Sequence, residues 1–260
     1  MTKLFYVGSL LLAAGCAVDD GTVETDTTEQ AVSGTVLSWH SCSTYPRCDI
    51  DLGTDINTTC VIAGLQGPWG RGGFAAIGTG LHDTENWLSI IGINGYTVSV
   101  ETLCVTPAQH VTSAKYSPNM SSGPVQIPNT TAASRCFLSQ FDFDAGAMNS
   151  YNDSIQVWKD ARSGNWFVYG SAAGNSFVDV TATCFDATDM GSWAWGQTGG
   201  TTTGNIASNV GGGVACGLTE IGGVFNAVAP DGVQIGYVPR AQQFTWTFRG
   251  AHHAYSNCIR

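Results

Sequence analysis

Short runs of alternating apolar and polar residues recur along this chain in three sets. In Val178-Asp-Val-Thr-Ala-Thr-Cys184, residues Val178, Val180, Ala182 and Cys184 share one face. Val98, Val100, Thr102 and Cys104 repeat that pattern 80 residues earlier. Ile155 and Val157 alternate with Ser154, Gln156 and Trp158, and Val233 and Ile235 match them in the next set. The segments 165–170 and 244–250 read as further strands, each ended by glycine. No window sustains a helical period with caps, and Gly, Asn and Asp fill the connections. The chain is therefore expected to be all-β.

Cysteines frame the sets. Cys60/Cys104, Cys136/Cys184 and Cys216/Cys258 each open on an apolar strand: Cys60-Val-Ile-Ala-Gly-Leu65, Cys136-Phe-Leu-Ser-Gln-Phe141 and Cys216-Gly-Leu-Thr-Glu-Ile221. Trp87, Trp166 and Trp246 stand four or five residues before Gly92, Gly170 and Gly250. Trp39, Tyr116 and Trp195 stand 20 or 21 residues ahead of the opening cysteines. A unit of about 77 residues predicts three pseudo-symmetric repeats, 34–104, 105–184 and 185–260, each frame holding about four short antiparallel strands. Trefoil- or prism-like packing about a shared axis is favoured over three small β-domains in a row. No linker separates the units, and each is marginal in size alone. Symmetry predicts the disulfides Cys60–Cys104, Cys136–Cys184 and Cys216–Cys258, and the close spacing of Cys42 and Cys48 predicts a local clip.

The N-terminus adds a location. Residues 1–15 place Lys3 ahead of an apolar run from Leu4 to Ala14 that is too short to span a bilayer, and they read as a signal peptide. Of nine cysteines, setting Cys16 aside leaves an even eight for four disulfides, as an exported protein would use them. Residues 16–33 hold Asp19, Asp20, Glu24, Asp26 and Glu29 with no basic residue and no periodicity, the marks of a disordered acidic tether. Those five of the 20 acids leave 15 in the body against nine Lys and Arg. No basic stripe exists, so neither nucleic acid nor an anionic lipid surface is an expected partner.

Leu12-Ala-Ala-Gly-Cys16 resembles the lipobox of bacterial lipoproteins, with Ala13 where that family usually carries Leu. The resemblance implies cleavage before Cys16, acylation there, and membrane attachment through the lipid anchor alone, at the outer membrane or cell surface. Full secretion is the alternative. Together with the acidic tether and the junction Thr28-Glu-Gln-Ala-Val32, the chain is similar to exported lipoproteins of myxobacteria-like Gram-negative bacteria. Their cysteine-framed repeats have no assigned function and bring no catalytic residues. Gly67-Pro-Trp-Gly70 with Arg71-Gly-Gly73, and Asp153-Ser-Ile-Gln-Val157, resemble phrases of jacalin-type lectins, which are threefold β-prisms. In that family the two phrases lie much closer together, without a cysteine frame.

Catalytic motifs are absent: no Gly-x-Ser-x-Gly elbow, no His-Glu-x-x-His helix and no Walker loop. No cofactor or metal is expected. Asp49, Asp51 and Asp55, and Asp142 with Asp144, alternate at a spacing that suits calcium. Ile50 and Leu52 between the first set read instead as a half-buried strand. Adjacent His252 and His253 fall on opposite faces of a strand, and His40, His82 and His110 stand isolated.

Aromatics that recur in every repeat are assigned to packing. Ligand binding is sought among tryptophans without counterparts: Trp69 beside Arg71 in a glycine-rich turn, Trp158 beside Gln156 on a polar strand face, and, less so, Trp193. The expected activity is recognition of a glycan or envelope protein by a surface-tethered module. A self-assembling surface protein and a hydrolase on a β-scaffold are the alternatives.

Overall fold

The alternating runs form strands. The structure is a computed structural model that describes residues 25–29, 35–43, 47–55, 58–79, 85–91, 96–106, 109–173, 177–199, 202–207, 214–225, 232–238, 240 and 243–259. Strand β1 (Thr25–Glu29) precedes the first repeat, which comprises β2 (Thr35–Cys42), β3 (Cys48–Asp55), β4 (Thr59–Gln66), a 3-10 turn at Trp69–Arg71, β5 (Gly73–Thr79), β6 (Glu85–Ile91) and β7 (Val98–Val105). The second holds β8 (Thr112–Tyr116), β9 (Val125–Gln126), β10 (Ser134–Phe143), β11 (Ala145–Met148), β12 (Ser154–Lys159), β13 (Trp166–Ser171) and β14 (Val178–Asp186). The third holds β15 (Asp189–Gly199), β16 (Thr202–Ala207), β17 (Ala215–Val224), β18 (Gly232–Val238), β19 (Gln243–Arg249) and β20 (Ala251–Ile259).

Pairing crosses the repeat boundaries. Sheet A runs β1-β2-β7-β4-β18-β19-β16, sheet B β3-β6-β5-β10-β14-β8, and sheet C β15-β20-β17-β12-β13-β9. Each repeat keeps its two cysteine strands side by side and gives its inner hairpin to another repeat. β5 joins β10, β12 joins β17, and β18 returns to β4, all antiparallel. The register is the same at the three seams: Ala75 opposite Phe141, Ile155 opposite Ile221 and Val233 opposite Leu65. The second member of each pair lies five residues past its opening cysteine.

All four expected disulfides are formed, with S–S lengths of 1.95–2.06 Å. Three of them join residues directly opposite in the ladder, Cys60 with Cys104, Cys136 with Cys184 and Cys216 with Cys258, at Cα separations of 4.0 Å. Closing loops of 44, 48 and 42 residues contributes about 4 kcal/mol each on the chain-entropy account.

A β-bulge falls at the same place in all three opening strands. The register slips between Ile62 and Gly64, between Leu138 and Gln140, and between Leu218 and Glu220. One extra residue reverses the side-chain alternation beyond it. Ile62 and Leu65, Leu138 and Phe141, and Leu218 and Ile221 therefore face the same large buried cluster despite their odd spacing. The opposite faces of the cysteine strands build a second buried cluster from all three repeats: Val61, Ala63 and Leu103, then Phe137 and Phe185, then Ala215 and Ile259. β4, β10 and β17 touch one another there. Val61, Phe137 and Gly217 occupy one position, next to the opening cysteine, and a Cβ on Gly217 would lie 2.7 Å from the Phe137 ring.

Three expectations change. Part of the tether is a strand, because residues 25–29 pair along β2 with Asp26 opposite Trp39. The recurring Trp87, Trp166 and Trp246 are not equivalent in register. Aligned on the seams, Trp166 takes the place of Asn86 and Phe244, Trp87 that of Phe167, and Trp246 that of Leu88. Tyr116, opposite Val180, is likewise one step from Trp39 and Trp195, which face Glu101 and Tyr255.

The seam between the third and first repeats carries a buried carboxyl. Glu101 is 1% exposed, lies across Gly64, and accepts a hydrogen bond from the Ile235 amide at 3.2 Å. Burial pushes its pKa well above the ordinary value, against the smaller opposing pull of that amide. The folded state therefore favours the protonated acid, so this group's contribution is full below about pH 4.5 and is lost as pH rises towards the folded pKa. Glu101→Gln is expected to stabilise the protein by about 1 kcal/mol at neutral pH, with the advantage shrinking on acidification; urea unfolding at pH 7 and pH 4 measures it. Gly217→Val is expected to cost about 2 kcal/mol, part of it recovered by Phe137→Leu. Additive losses in that double-mutant cycle would show that the two positions do not compete for one space.

Candidate functional site

β12 sends Ile155 and Val157 into the core and Ser154, Gln156 and Trp158 to the opposite face of sheet C. The ladders extend that face. Tyr255, Glu220, Gln156 and Tyr169 stand in one row across β20, β17, β12 and β13. At the usual strand spacing the row is about 14 Å wide. Its next member is Trp195, in register with Tyr255, whose side chain lies outside the described residues. Beside the row, His253 pairs with Gly222, which pairs with Ser154.

Gly222 shapes the local chemistry. A Cβ there would lie 2.3 Å from His253 Nε2, so only glycine lets the imidazole fold across its neighbour. His253 Nε2 thereby stands 3.3 Å from Glu220 Oε1. Trp158 stacks on Phe167 at 5.8 Å and 25°, with Gln126 the next residue in register. The face thus combines half-buried aromatic rings, an amide, a carboxylate and an imidazole, with Tyr255 36% exposed at one side.

The expected site residues separate. Gln156 and Trp158 lie together on this face. Trp69 does not present a binding surface: it is 0% exposed, packs edge-on against Phe141 at 4.9 Å, and donates its indole hydrogen to the Gln66 carbonyl at 3.0 Å. Gly73, at φ 154°, folds the chain against that ring, where a Cβ would be 2.8 Å from it. Arg71 is exposed, but its guanidinium lies 4.8 Å from the Tyr96 ring centroid and donates to the Tyr96 hydroxyl, and neither residue belongs to a strand of sheet C. Cys16, His82 and the side chains of Trp193 and His252 lie outside the described residues.

The signal for Glu220, Tyr255 and His253 in the sequence was the repeat offset alone. Cysteine-aligned, they replace Gln140, Thr181 and Asp179.

The other described histidines are tied locally. His110, at φ 51°, holds Asp186 through Nδ1 at 2.6 Å, and Asp186 also accepts from Thr131 at 2.7 Å. Those hydrogen bonds, Thr131 first, hold the Asp186 carboxyl below its ordinary range. His40 is 2% exposed, with Nε2 2.7 Å from Ser38 Oγ and 3.3 Å from Thr102 Oγ1.

The described residues contain no group of three or more His, Cys, Asp or Glu that could hold a metal. β3 is the half-buried strand expected, with Ile50 buried and Asp49 engaged by Arg47 and Ser89. An apolar crevice lined by Leu218, Val233, Ile235, Trp246, Phe248 and Ala254 is too small for an organic ligand.

Burial lowers the His40 pKa from 6.5 to about 4. The unfolded chain takes up this proton first, so stability is full above pH 6.5 and falls as pH approaches 4, by about 3 kcal/mol in all. His40→Gln is expected to flatten that acid limb, and NMR should find His40 neutral down to about pH 4. A His40 titration near 6.5 would refute the assignment.

No family model, no curated protein and no solved structure matches this chain.

Proposed function

We propose that this protein is an exported, lipid-anchored binding module that recognises a glycan through the open face of sheet C. The observation that carries the reading is the row Tyr255–Glu220–Gln156 beside Trp158 and His253, in which aromatic rings and hydrogen-bonding groups share one face of the sheet. A sugar has an apolar face for stacking and a rim of hydroxyls for a carboxylate, an amide or an imidazole, so this mixture suits it. Recognition on the sheet face also agrees with the small volume of the apolar crevice, which has no space for a buried organic ligand. Four disulfides fit an oxidising compartment, and the Cys16 motif supplies the anchor. The hydrolase alternative is weaker, since His253 stands with one carboxylate rather than the two such chemistry uses.

Binding to immobilised envelope polysaccharides tests the reading. Trp158→Ala, Gln156→Ala and Tyr255→Ala are each expected to weaken binding about tenfold, near 1.4 kcal/mol, with unfolding curves close to wild type. Trp69→Ala is expected to lower stability by about 3 kcal/mol or more, because it empties a buried site. If the combined sheet C variant retains wild-type binding to every polysaccharide, the face is not the site. The intact mass of the mature protein reads out acylation at Cys16.

A further inference from the structure

Aligned on their cysteines, sheets B and C place different chemistry at the same positions. Where sheet C has Gly222 and His253, sheet B has Asp142 and Asp179, directly opposite each other in the β10–β14 ladder. Like charges so placed repel. Lys115, on the edge strand β8, pairs with Asp179 Oδ2. Asp179 is only 5% exposed, and its other carboxylate oxygen, Oδ1, is buried without a hydrogen-bond partner. Burial first, then Asp179 and Asp144, raise the Asp142 pKa against the opposing charge of Lys115. A buried carboxylate oxygen with no donor is costly unless something positive reaches it.

We propose that this face of sheet B binds a hard divalent cation, with Asp142 and Asp179 as carboxylate ligands and the Lys115 ammonium standing in when the ion is absent. Calcium is the fitting ion, because it takes oxygen ligands in a tolerant geometry and completes its shell with main-chain carbonyls and water. Two carboxylates rather than three place the affinity among the weak extracellular sites, with Kd of about 10⁻⁴–10⁻³ M. Lys115 is 45% exposed on a strand paired along one side only, so it can withdraw into solvent. The inference rests on sheet B alone and stands or falls independently of glycan binding on sheet C.

Thermal unfolding and calorimetric titration of the full mature chain, with calcium, magnesium and sodium chlorides at matched ionic strength, test it. Wild type should show a saturable calcium-specific rise in Tm. Lys115→Gln should lower Tm without calcium yet bind the ion at least fivefold more tightly, because the competing ammonium is gone. Asp142→Asn, at a half-buried position, should abolish the response and remain folded; Asp179→Asn is the riskier variant. Three results would overturn the site: no calcium-specific effect in wild type or Lys115→Gln, a response that survives in Asp142→Asn, or weaker binding by Lys115→Gln.

Discussion

Every opening cysteine strand is buried on both faces ahead of its bulge, and the one extra residue there turns the strand back towards the larger core beyond it. Ala63, Ser139 and Thr219 are the bulge residues. Before them, Val61 and Phe137 turn towards the cluster where the three strands meet. After them, Leu65, Phe141 and Ile221 turn back to the larger core that Ile62, Leu138 and Leu218 already face. Beyond the bulge each strand also accepts a hairpin from another repeat, always at the same residue. The disulfides staple the part before the bulge, where the pairing strand comes from the same repeat.

What was legible in the sequence follows from which interactions are local. Period-two alternation marks strands because successive side chains point to opposite faces, and residues such as Val178, Val180 and Ala182 behave accordingly. The disulfides were legible because repetition pairs like with like. The exchange of hairpins was not, since the polar and apolar order of β5 or β18 records which face is buried and says nothing about which edge it meets. Spacing also misled for the aromatics. Trp87 and Trp166 sit at almost the same distance from a glycine, yet a one-residue offset in register puts them on opposite faces. Trp69 looked open in a glycine-rich turn. Gly73 instead lets the backbone close over the ring.

The repeats keep one frame and vary what it carries. At the ladder positions four to six residues past the cysteine, the first repeat lays Glu101 over Gly64, the second sets Asp142 against Asp179, and the third folds His253 over Gly222 towards Glu220. Glycine on one strand makes room for a long side chain from the next. The same backbone thus carries a buried acid in sheet A, an opposed pair of acids in sheet B and an imidazole beside a carboxylate in sheet C. Half of the face proposed for ligand binding, Gln156 and Trp158, was visible from a polar side of an alternating strand. The other half arrives from β17 and β20, through a seam the sequence does not announce.

The seam formed by β18 and β4 joins residues 232–233 to residues 65–66, so the first repeat is completed by the last. A polypeptide that emerges from its amino end must hold the edge of β4 unpaired while some 160 further residues are made, and the long loop that finally closes delays folding. During that interval the oldest part of the molecule offers an open ladder to any passing strand, its own or another's. Circular closure thus trades early, piecewise completion for a body in which no repeat matures alone.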